Sequence, residues 1–128
     1  MSQDIDFQAS LNVALERYNA RDFGAARMLC EEVLKRVPNQ SDANNLLALI
    51  ARATKKWGKA EVIVRDGIKA NPDSAALQNT LGLITMDQRR FQEAESAFCR
   101  AVQLKPRHVE FKINLSRVLH ELGRLDEA

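Results

Sequence analysis

Residues 75–108 read AALQNTLGLITMDQRRFQEAESAFCRAVQLKPRH, and they contain one complete unit of a pattern that runs through the whole chain. Pro106 lies near the end of this segment. The chain has two other prolines, Pro38 and Pro72, and consecutive prolines are 34 residues apart. No proline departs from this spacing, which is called the period below. A regular period of this length indicates that one structural unit is repeated along the chain.

Three further kinds of residue recur with the same period. A small residue stands 24 positions before each proline, a large apolar residue 15 before and an alanine 12 before, and each series has one more member a period later. The series are Ala14, Ala48, Gly82 and Ser116; Phe23, Trp57, Phe91 and Leu125; and Ala26, Ala60, Ala94 and Ala128. Small residues let helix axes approach to about 8–10 Å, and proline ends a helix because it cannot donate a backbone hydrogen bond. Each unit is therefore predicted to be a pair of helices.

The predicted helices follow directly from this register. The first helices of the units are expected at 8–20, 41–54, 75–88 and 109–122, and the second helices at 23–36, 57–70 and 91–104. Short turns are expected at Arg21-Asp22, Lys55-Lys56, Arg89-Arg90 and Gly123-Arg124, and an eighth helix is expected to begin at Leu125. Ser41-Asp42 and Asp73-Ser74 are predicted to cap the helices that follow Pro38 and Pro72, because their side chains can accept hydrogen bonds from a helix N-terminus.

The period and the recurring residues resemble the tetratricopeptide repeat (TPR) over nearly the whole chain, from about Phe7 to Ala128. The third repeat matches that family's pattern best, at Leu81-Gly82, Phe91, Glu93-Ala94, Phe98, Ala101 and Pro106. The chain departs from it where the family often has Trp, at Ser10, Asn44, Gln78 and Lys112, and where it often has Tyr, at Arg17, Ala51, Thr85 and Leu119. The resemblance implies an all-α fold, an α-solenoid of stacked antiparallel helix hairpins. It also implies a single domain with repeats at about 7–40, 41–74, 75–108 and, in part, 109–128.

Composition excludes several classes of function. The net charge is +2 and the 28% of charged residues mix both signs, so no basic stripe indicates a nucleic-acid partner. No apolar run reaches the length of roughly 18 residues that a membrane-spanning helix needs. The N-terminus lacks the apolar segment of a signal peptide. We therefore expect a cytoplasmic protein without a membrane partner, whose two cysteines, Cys30 and Cys99, are reduced.

No set of residues indicates catalysis. His108 and His120 do not have metal-ligand spacing, and Cys30 and Cys99 have no neighbouring base in the sequence. The chain also lacks a glycine-rich phosphate loop and a G-x-S-x-G nucleophile motif. We therefore expect neither an enzyme nor a metal or cofactor site.

The resemblance implies that the first helices line a concave face that binds peptides. The residues expected on that face are Leu11, Asn12, Leu15, Tyr18, Asn19, Asn45, Leu49, Arg52, Asn79, Leu83, Met86, Asn114, Arg117 and His120. Asparagine occurs in all four repeats, and its amide can both donate to and accept from an extended peptide backbone. Three or four such bonds at about 0.5–1.5 kcal/mol each, with leucine contacts added, predict micromolar affinity. The alternative is that these asparagines only solvate an exposed face.

One specialised mode of the family is not supported. Members that bind chaperones hold a C-terminal carboxylate with Lys, Asn and Arg on successive first helices. The matching positions here are Leu11, Leu15, Leu46, Ala76 and Thr80, so the carboxylate clamp is absent.

The incomplete fourth repeat leaves several interpretations open. Its first helix is apolar, and without a second helix we expect Phe111, Leu115, Val118 and Leu122 to be available for self-association. The chain is expected to be a fragment of a longer protein, or a chain whose end face is covered by something else, and the alternative is that this helix is a solvating cap. The leading hypothesis is a non-catalytic protein-interaction scaffold. The alternatives are a substrate-recruiting region of a larger enzyme, such as a glycosyltransferase or sulfotransferase, and a self-associating structural scaffold.

Overall fold

The computed structural model describes the backbone of residues 2–127 and the side chains of residues 7–125. This part of the chain contains seven α-helices and no strand. They are α1 (Ser2–Asn19), α2 (Phe23–Arg36), α3 (Ser41–Ala53), α4 (Trp57–Ala70), α5 (Ala75–Asp87), α6 (Phe91–Leu104) and α7 (Val109–Glu127). Consecutive helices pack as the hairpins α1–α2, α3–α4 and α5–α6, which confirms the predicted all-α fold. The chain divides into an N-terminal unit, residues 1–71, and a C-terminal unit, residues 72–128.

The turn inside each of the three hairpins has the same backbone geometry. Arg21, Lys55 and Arg89, which stand one period apart, have φ values of 64°, 63° and 62°. The next residue in each turn donates its N–H to the carbonyl five positions earlier, at 2.8, 2.8 and 2.9 Å. This is the helix-ending motif that usually contains glycine at the left-handed position. In two of the turns the arginine guanidinium also lies over the ring that starts the next helix, 5.2 Å from Phe23 and 5.3 Å from Phe91, a contact that favours the conformation.

The periodic prolines end the second helices, as predicted. Val37, Asn71 and Lys105 precede them and form the C-caps of α2, α4 and α6. Their φ values lie between −130° and −136°, because the proline ring excludes the preceding residue from the helical region. The bounds of α2, α4 and α6 consequently agree with the predicted second helices.

One of the two predicted N-caps is confirmed and the other is wrong. The Ser74 side chain accepts a hydrogen bond from the Leu77 N–H at 3.3 Å and caps α5. At α3 the cap is Gln40, whose side-chain carbonyl accepts from the Ala43 N–H at 2.7 Å. Gln40 thus takes the N-cap position and satisfies the Ala43 N–H. Ser41 and Asp42 follow it and belong to the first turn of α3.

The core of the N-terminal unit consists of small and medium-sized residues. Ala14, Ala26, Ala43 and Cys30 are completely buried there, and Leu11, Val33, Leu46 and Ile50 complete the cluster. A polar network holds the adjacent loop. Asn71 Nδ2 donates to the Asn39 carbonyl at 2.8 Å, and buried Asn44 Nδ2 donates to Asn39 Oδ1 at 3.2 Å. These amides fix the loop that connects the two hairpins of this unit.

In the C-terminal unit, α5 and α6 pack closely through a contact between a glycine and an aromatic ring. A Cβ atom at Gly82 would lie under 3.0 Å from three carbon atoms of the Phe98 ring. The small residue therefore stands where α5 and α6 cross, as the register predicted. Phe98 is completely buried and packs in one cluster with Phe91, Ala94 and Val118.

The expected exposure of apolar residues on α7 is wrong for Phe111 and Val118, and Leu115 and Leu122 are exposed only in part. Phe111 and Val118 are buried, and Leu115 and Leu122 are partly buried against the Phe98 cluster. The stripe that they form faces α5 and α6 and contributes to the packing of the C-terminal unit. The large apolar side chains that α7 does expose are Val109, Ile113, Leu119 and Leu125.

The ends of the first and last helices also differ from the prediction. Helix α1 begins at Ser2 and not at residue 8, and the acidic sequence of its opening turns, with Asp4 and Asp6, favours a helix N-terminus. Helix α7 continues through Gly123 to Glu127, without the predicted turn at Gly123-Arg124 or a new helix at Leu125. Gly123 does not adopt the positive φ that Arg89, one period earlier, has in the turn after α5, so the helix continues through it. Ala128, the last member of the alanine series, lies outside the described residues.

Candidate peptide-binding face

A groove lies between α1 and α3 in the N-terminal unit. Among the described side chains, four positions on each helix line it, and each of the four on α1 stands one period before one on α3. The lining residues are Gln8, Leu11, Asn12 and Leu15 from α1, and Asp42, Asn45, Leu46 and Leu49 from α3. Positions separated by three, four and seven share one face of a helix, so two equivalent faces meet along matching rows. These eight residues are called the N-terminal groove below.

The N-terminal groove combines leucines with amides. Leu11 and Leu46 form a nearly buried floor, whereas Leu15 remains 50% exposed. Gln8 Nε2 donates to Asn12 Oδ1 at 3.2 Å on the exposed rim. The groove has a volume of about 210 Å³, less than the roughly 300–1,000 Å³ of a typical small-molecule pocket. This volume corresponds to one or two side chains, and amide side chains can both donate and accept hydrogen bonds.

The remaining residues predicted for the binding face in the N-terminal unit lie outside this groove. Tyr18 is partly buried, and its ring centroid lies 5.7 Å from that of Phe23 at an angle of 50°. Asn19 is exposed and is the last residue of α1, and Arg52 is partly buried in the last turn of α3. Tyr18 thus contributes to the core, and the other two lie near the C-terminal ends of the same helices.

The two asparagines predicted for the C-terminal unit have a structural partner. Asn79 and Asn114 are 6% and 5% exposed, and Asn114 Nδ2 donates to Asn79 Oδ1 at 2.9 Å. The bond joins α5 to α7. A ligand that uses these amides would compete with an existing buried hydrogen bond, in contrast to the exposed Asn12 in the N-terminal groove.

The other predicted residues of the C-terminal unit divide into two groups. Leu83 and Met86 are partly buried and pack against the Phe98 cluster. Arg117 and His120 are exposed on α7. The leucine and the methionine therefore support the fold, and the arginine and the histidine are accessible.

Sequence reasoning missed three residues of the N-terminal groove, namely Gln8, Asp42 and Leu46. A signal for them was present in the register. Gln8 and Asp42 are one period apart, and Leu46 is one period after Asn12. Extending Asn12 by one period would have found Leu46, whereas Gln8 and Asp42 required extending the predicted face by one helical turn, to the positions three residues before Leu11 and Asn45.

The described residues contain a fully buried cysteine and no clustered metal ligands. No group of three or more His, Cys, Asp or Glu side chains between residues 7 and 125 is arranged to hold a metal ion. Burial, with the Glu31 carboxylate as a smaller cause, raises the pKa of the Cys30 thiol to about 11. A nucleophilic cysteine needs the opposite shift. None of the helices in the described part of the chain is both long and apolar enough to cross a membrane.

Comparison with known proteins identifies the family. The sequence profile of the Tetratricopeptide repeat family matches residues 18–84, and a second profile with the same description matches residues 79–128. The first match alone covers more than half of the chain, so the protein belongs to the tetratricopeptide-repeat family. No curated protein matches the sequence.

Solved structures with the same fold come from diverse proteins. A Thermobaculum terrenum O-GlcNAc transferase is 23% identical, with a TM-score of 0.85 over 94% of this chain. Pseudomonas aeruginosa pilF is 21% identical, with a TM-score of 0.88 over 96% of this chain and 56% of its own. The first TPR of Spaghetti (RPAP3), bound to the HSP90 peptide SRMEEVD, is 14% identical, with a TM-score of 0.80 over 91% of this chain and 93% of its own. The chain spans only 23% of the O-GlcNAc transferase structure. At these identities the likeness establishes the fold alone.

Proposed function

We propose that this chain is a non-catalytic interaction module that binds an extended segment of another protein on the faces of its first helices. The N-terminal groove carries the proposal, because its leucines and amides form a shallow trough open to solvent. A fold of this family binds a peptide in the RPAP3 structure, which supports the same general role here. The positions of a carboxylate clamp hold Leu11, Leu15 and Leu46 in this unit, so the proposed mode of binding does not use such a clamp.

The size of the groove limits the affinity. Burying one aliphatic side chain contributes about 1.5–3 kcal/mol, and each backbone hydrogen bond to an amide adds about 0.5–1.5 kcal/mol. The loss of peptide freedom opposes these terms. We expect dissociation constants in the micromolar range, equivalent to about −8 kcal/mol.

The proposal is tested by selecting random nonapeptides displayed on phage against the purified chain. Dissociation constants of the enriched sequences are then measured by fluorescence anisotropy. Leu15→Arg and Leu49→Arg place a charge inside the groove, and we expect each to weaken binding at least tenfold because an arginine there fills the space for the ligand. Circular dichroism establishes that both variants remain helical.

The matched control is Val62→Arg, which places the same charge on an apolar side chain that is 61% exposed on α4, outside the groove. This variant should bind the selected peptides with unchanged affinity. A failure to enrich any peptide, or equal binding by the two groove variants and the control, would contradict the proposal.

A second candidate role is recruitment of substrates for a larger enzyme. The observation that favours it is the structural match to part of an O-GlcNAc transferase. In this role the groove would again bind an extended protein segment, and the catalytic step would belong to a separate domain. A natural gene whose reading frame joins this region to a catalytic domain would support it, and a gene that encodes only TPR repeats would exclude it.

A further inference from the structure

The charges around the N-terminal groove restrict which peptides it can accept. Asp42 is the only charged residue among the eight described residues that line it. Its carboxylate is exposed in the first turn of α3, beside the amide of Asn45 one turn later. Among the described side chains, no lysine, arginine or histidine lines the groove.

The helix N-terminus beside Asp42 does not reverse this sign. The positive end of the α3 dipole is equivalent to about half an elementary charge, and Asp42 carries a full negative charge. The Gln40 side chain accepts from the Ala43 N–H at 2.7 Å, so this backbone donor is already occupied. Asp42 is therefore the dominant charge among the described lining residues, and an anionic peptide group next to it would be disfavoured.

The opposite end of the lining set is apolar. Leu15 and Leu49 stand one period apart on α1 and α3, and Leu15 is 50% exposed. Asp42 and Leu49 are seven residues apart on one helix, which corresponds to about 10 Å along its axis. An extended peptide covers this distance with about three residues.

We propose that the N-terminal groove selects an extended peptide with an aliphatic side chain next to Leu15 and Leu49 and a lysine or arginine about three residues away, next to Asp42. This inference rests on the proposed function and specifies its ligand. The aliphatic residue supplies most of the affinity, because its burial is worth more than an exposed ion pair. The basic residue determines orientation and rejects acidic segments.

The phage selection described above also tests this specificity, with three further forms of the full chain. Asp42→Asn removes the charge and Asp42→Lys reverses it. Asp66→Lys is the matched control, because Asp66 is an exposed acid on α4 that does not line the groove. We expect aliphatic-plus-basic sequences from the wild type and from Asp66→Lys, no charge preference from Asp42→Asn, and acidic sequences from Asp42→Lys.

Synthetic versions of one enriched peptide show how much each of its side chains contributes to the affinity. Changing its aliphatic residue to alanine should weaken binding roughly 10- to 50-fold. Changing its basic residue to glutamine should weaken binding to the wild type about two- to fivefold, and should have no effect on binding to Asp42→Asn.

The outcomes separate this inference from the proposed function. If no peptide is enriched on any form, the peptide-binding function itself is wrong. If peptides are enriched and depend on Leu15 and Leu49, but show no basic preference or one that is unchanged in Asp42→Lys, the function stands and the inferred specificity is overturned.

Discussion

At the scale of single residues, the contact between Gly82 and Phe98 leaves no room for a side chain at position 82. We expect Gly82→Ala to lower the free energy of unfolding by about 1–3 kcal/mol, because the added methyl group forces the buried ring to move. Gly58→Ala is the matched control, since a Cβ at Gly58 meets nothing within 4 Å. That change should be neutral or stabilising by up to about 1 kcal/mol. Urea unfolding followed by circular dichroism measures both, and equal effects at the two positions would contradict the packing.

The buried thiol of Cys30 should make stability depend on pH in the alkaline range. Burial and the Glu31 carboxylate raise its pKa from 9.0 to about 11 in the folded chain. The unfolded chain releases this proton first, so its contribution to stability is complete below pH 9 and is lost as the pH rises towards 11. At pH 10 we expect the wild type to lose about 1 kcal/mol of unfolding free energy more than Cys30→Ala does. If the unfolding free energies of the two proteins change equally with pH, the Cys30 thiol is not the cause of the pH dependence.

At the scale of helices, the continuity of α7 through Gly123 predicts how a substitution at this position changes the stability of the chain. This glycine stands one period after Arg89, whose φ is positive, but no glycine in the described structure has a positive φ. A Cβ at Gly123 meets nothing within 4 Å. Gly123→Ala should therefore stabilise the chain by roughly 0.5–1 kcal/mol in thermal or urea unfolding, because alanine favours helix interiors. A loss of about 1 kcal/mol would instead indicate a left-handed turn at this position.

The hydrogen bond between Asn79 and Asn114 joins two helices of the C-terminal unit. Asn114→Ala leaves the Asn79 carbonyl buried without this donor, and we expect a loss of about 1–3 kcal/mol in unfolding free energy. Asn12→Ala serves as control, because Asn12 is exposed, and its effect should stay within about 0.5 kcal/mol. Similar losses in the two variants would argue against a structural role for the buried pair.

The helices were predictable to different degrees, and the difference has a physical cause. The bounds of α2 to α6 follow from proline and from the recurring turn, which act through the backbone within a few residues. The end of α7 has no proline to define it, and α1 extends six residues before its predicted start. Local sequence patterns therefore define the internal helices and leave the outer ends undetermined.

At the scale of the whole molecule, the mixture of charges argues against binding to nucleic acid. The net charge is +2, and the basic residues are distributed among nearly as many acidic ones. We expect no binding to a fluorescent DNA duplex at physiological salt and protein concentrations up to about 100 µM, the upper range of non-specific binding by phosphate-neutralising proteins. Salt-dependent binding that Lys55→Glu and Lys56→Glu abolish would contradict this expectation.

The candidate site was only partly predictable, because the sequence of one repeat does not show which side chains of other helices will contact it. Asn12, Leu15, Asn45 and Leu49 were identified from helical spacing and line the N-terminal groove. Asn79 belongs to the same series as Asn45, but it pairs with Asn114, which lies one position beyond that series in the fourth repeat. Equivalent positions therefore have different surroundings, and only the packed structure distinguishes an exposed amide from a buried one.

The close approach at Gly82 also constrains how the sequence can change over evolution. The same two positions hold Ala14 and Cys30 in the first hairpin, Ala48 and Val64 in the second, and Gly82 and Phe98 in the third. The smallest residue at the first position, Gly82, is paired with the largest residue at the second, Phe98. The other members of the three pairs, and Phe98 itself, are fully buried: Ala14, Cys30, Ala48, Val64 and Phe98. Closely packed interiors tolerate changes that conserve total volume. Substitutions at these two positions should therefore be inherited as compensated pairs, and shuffled repeats should remain stable only when both partners come from the same parent hairpin.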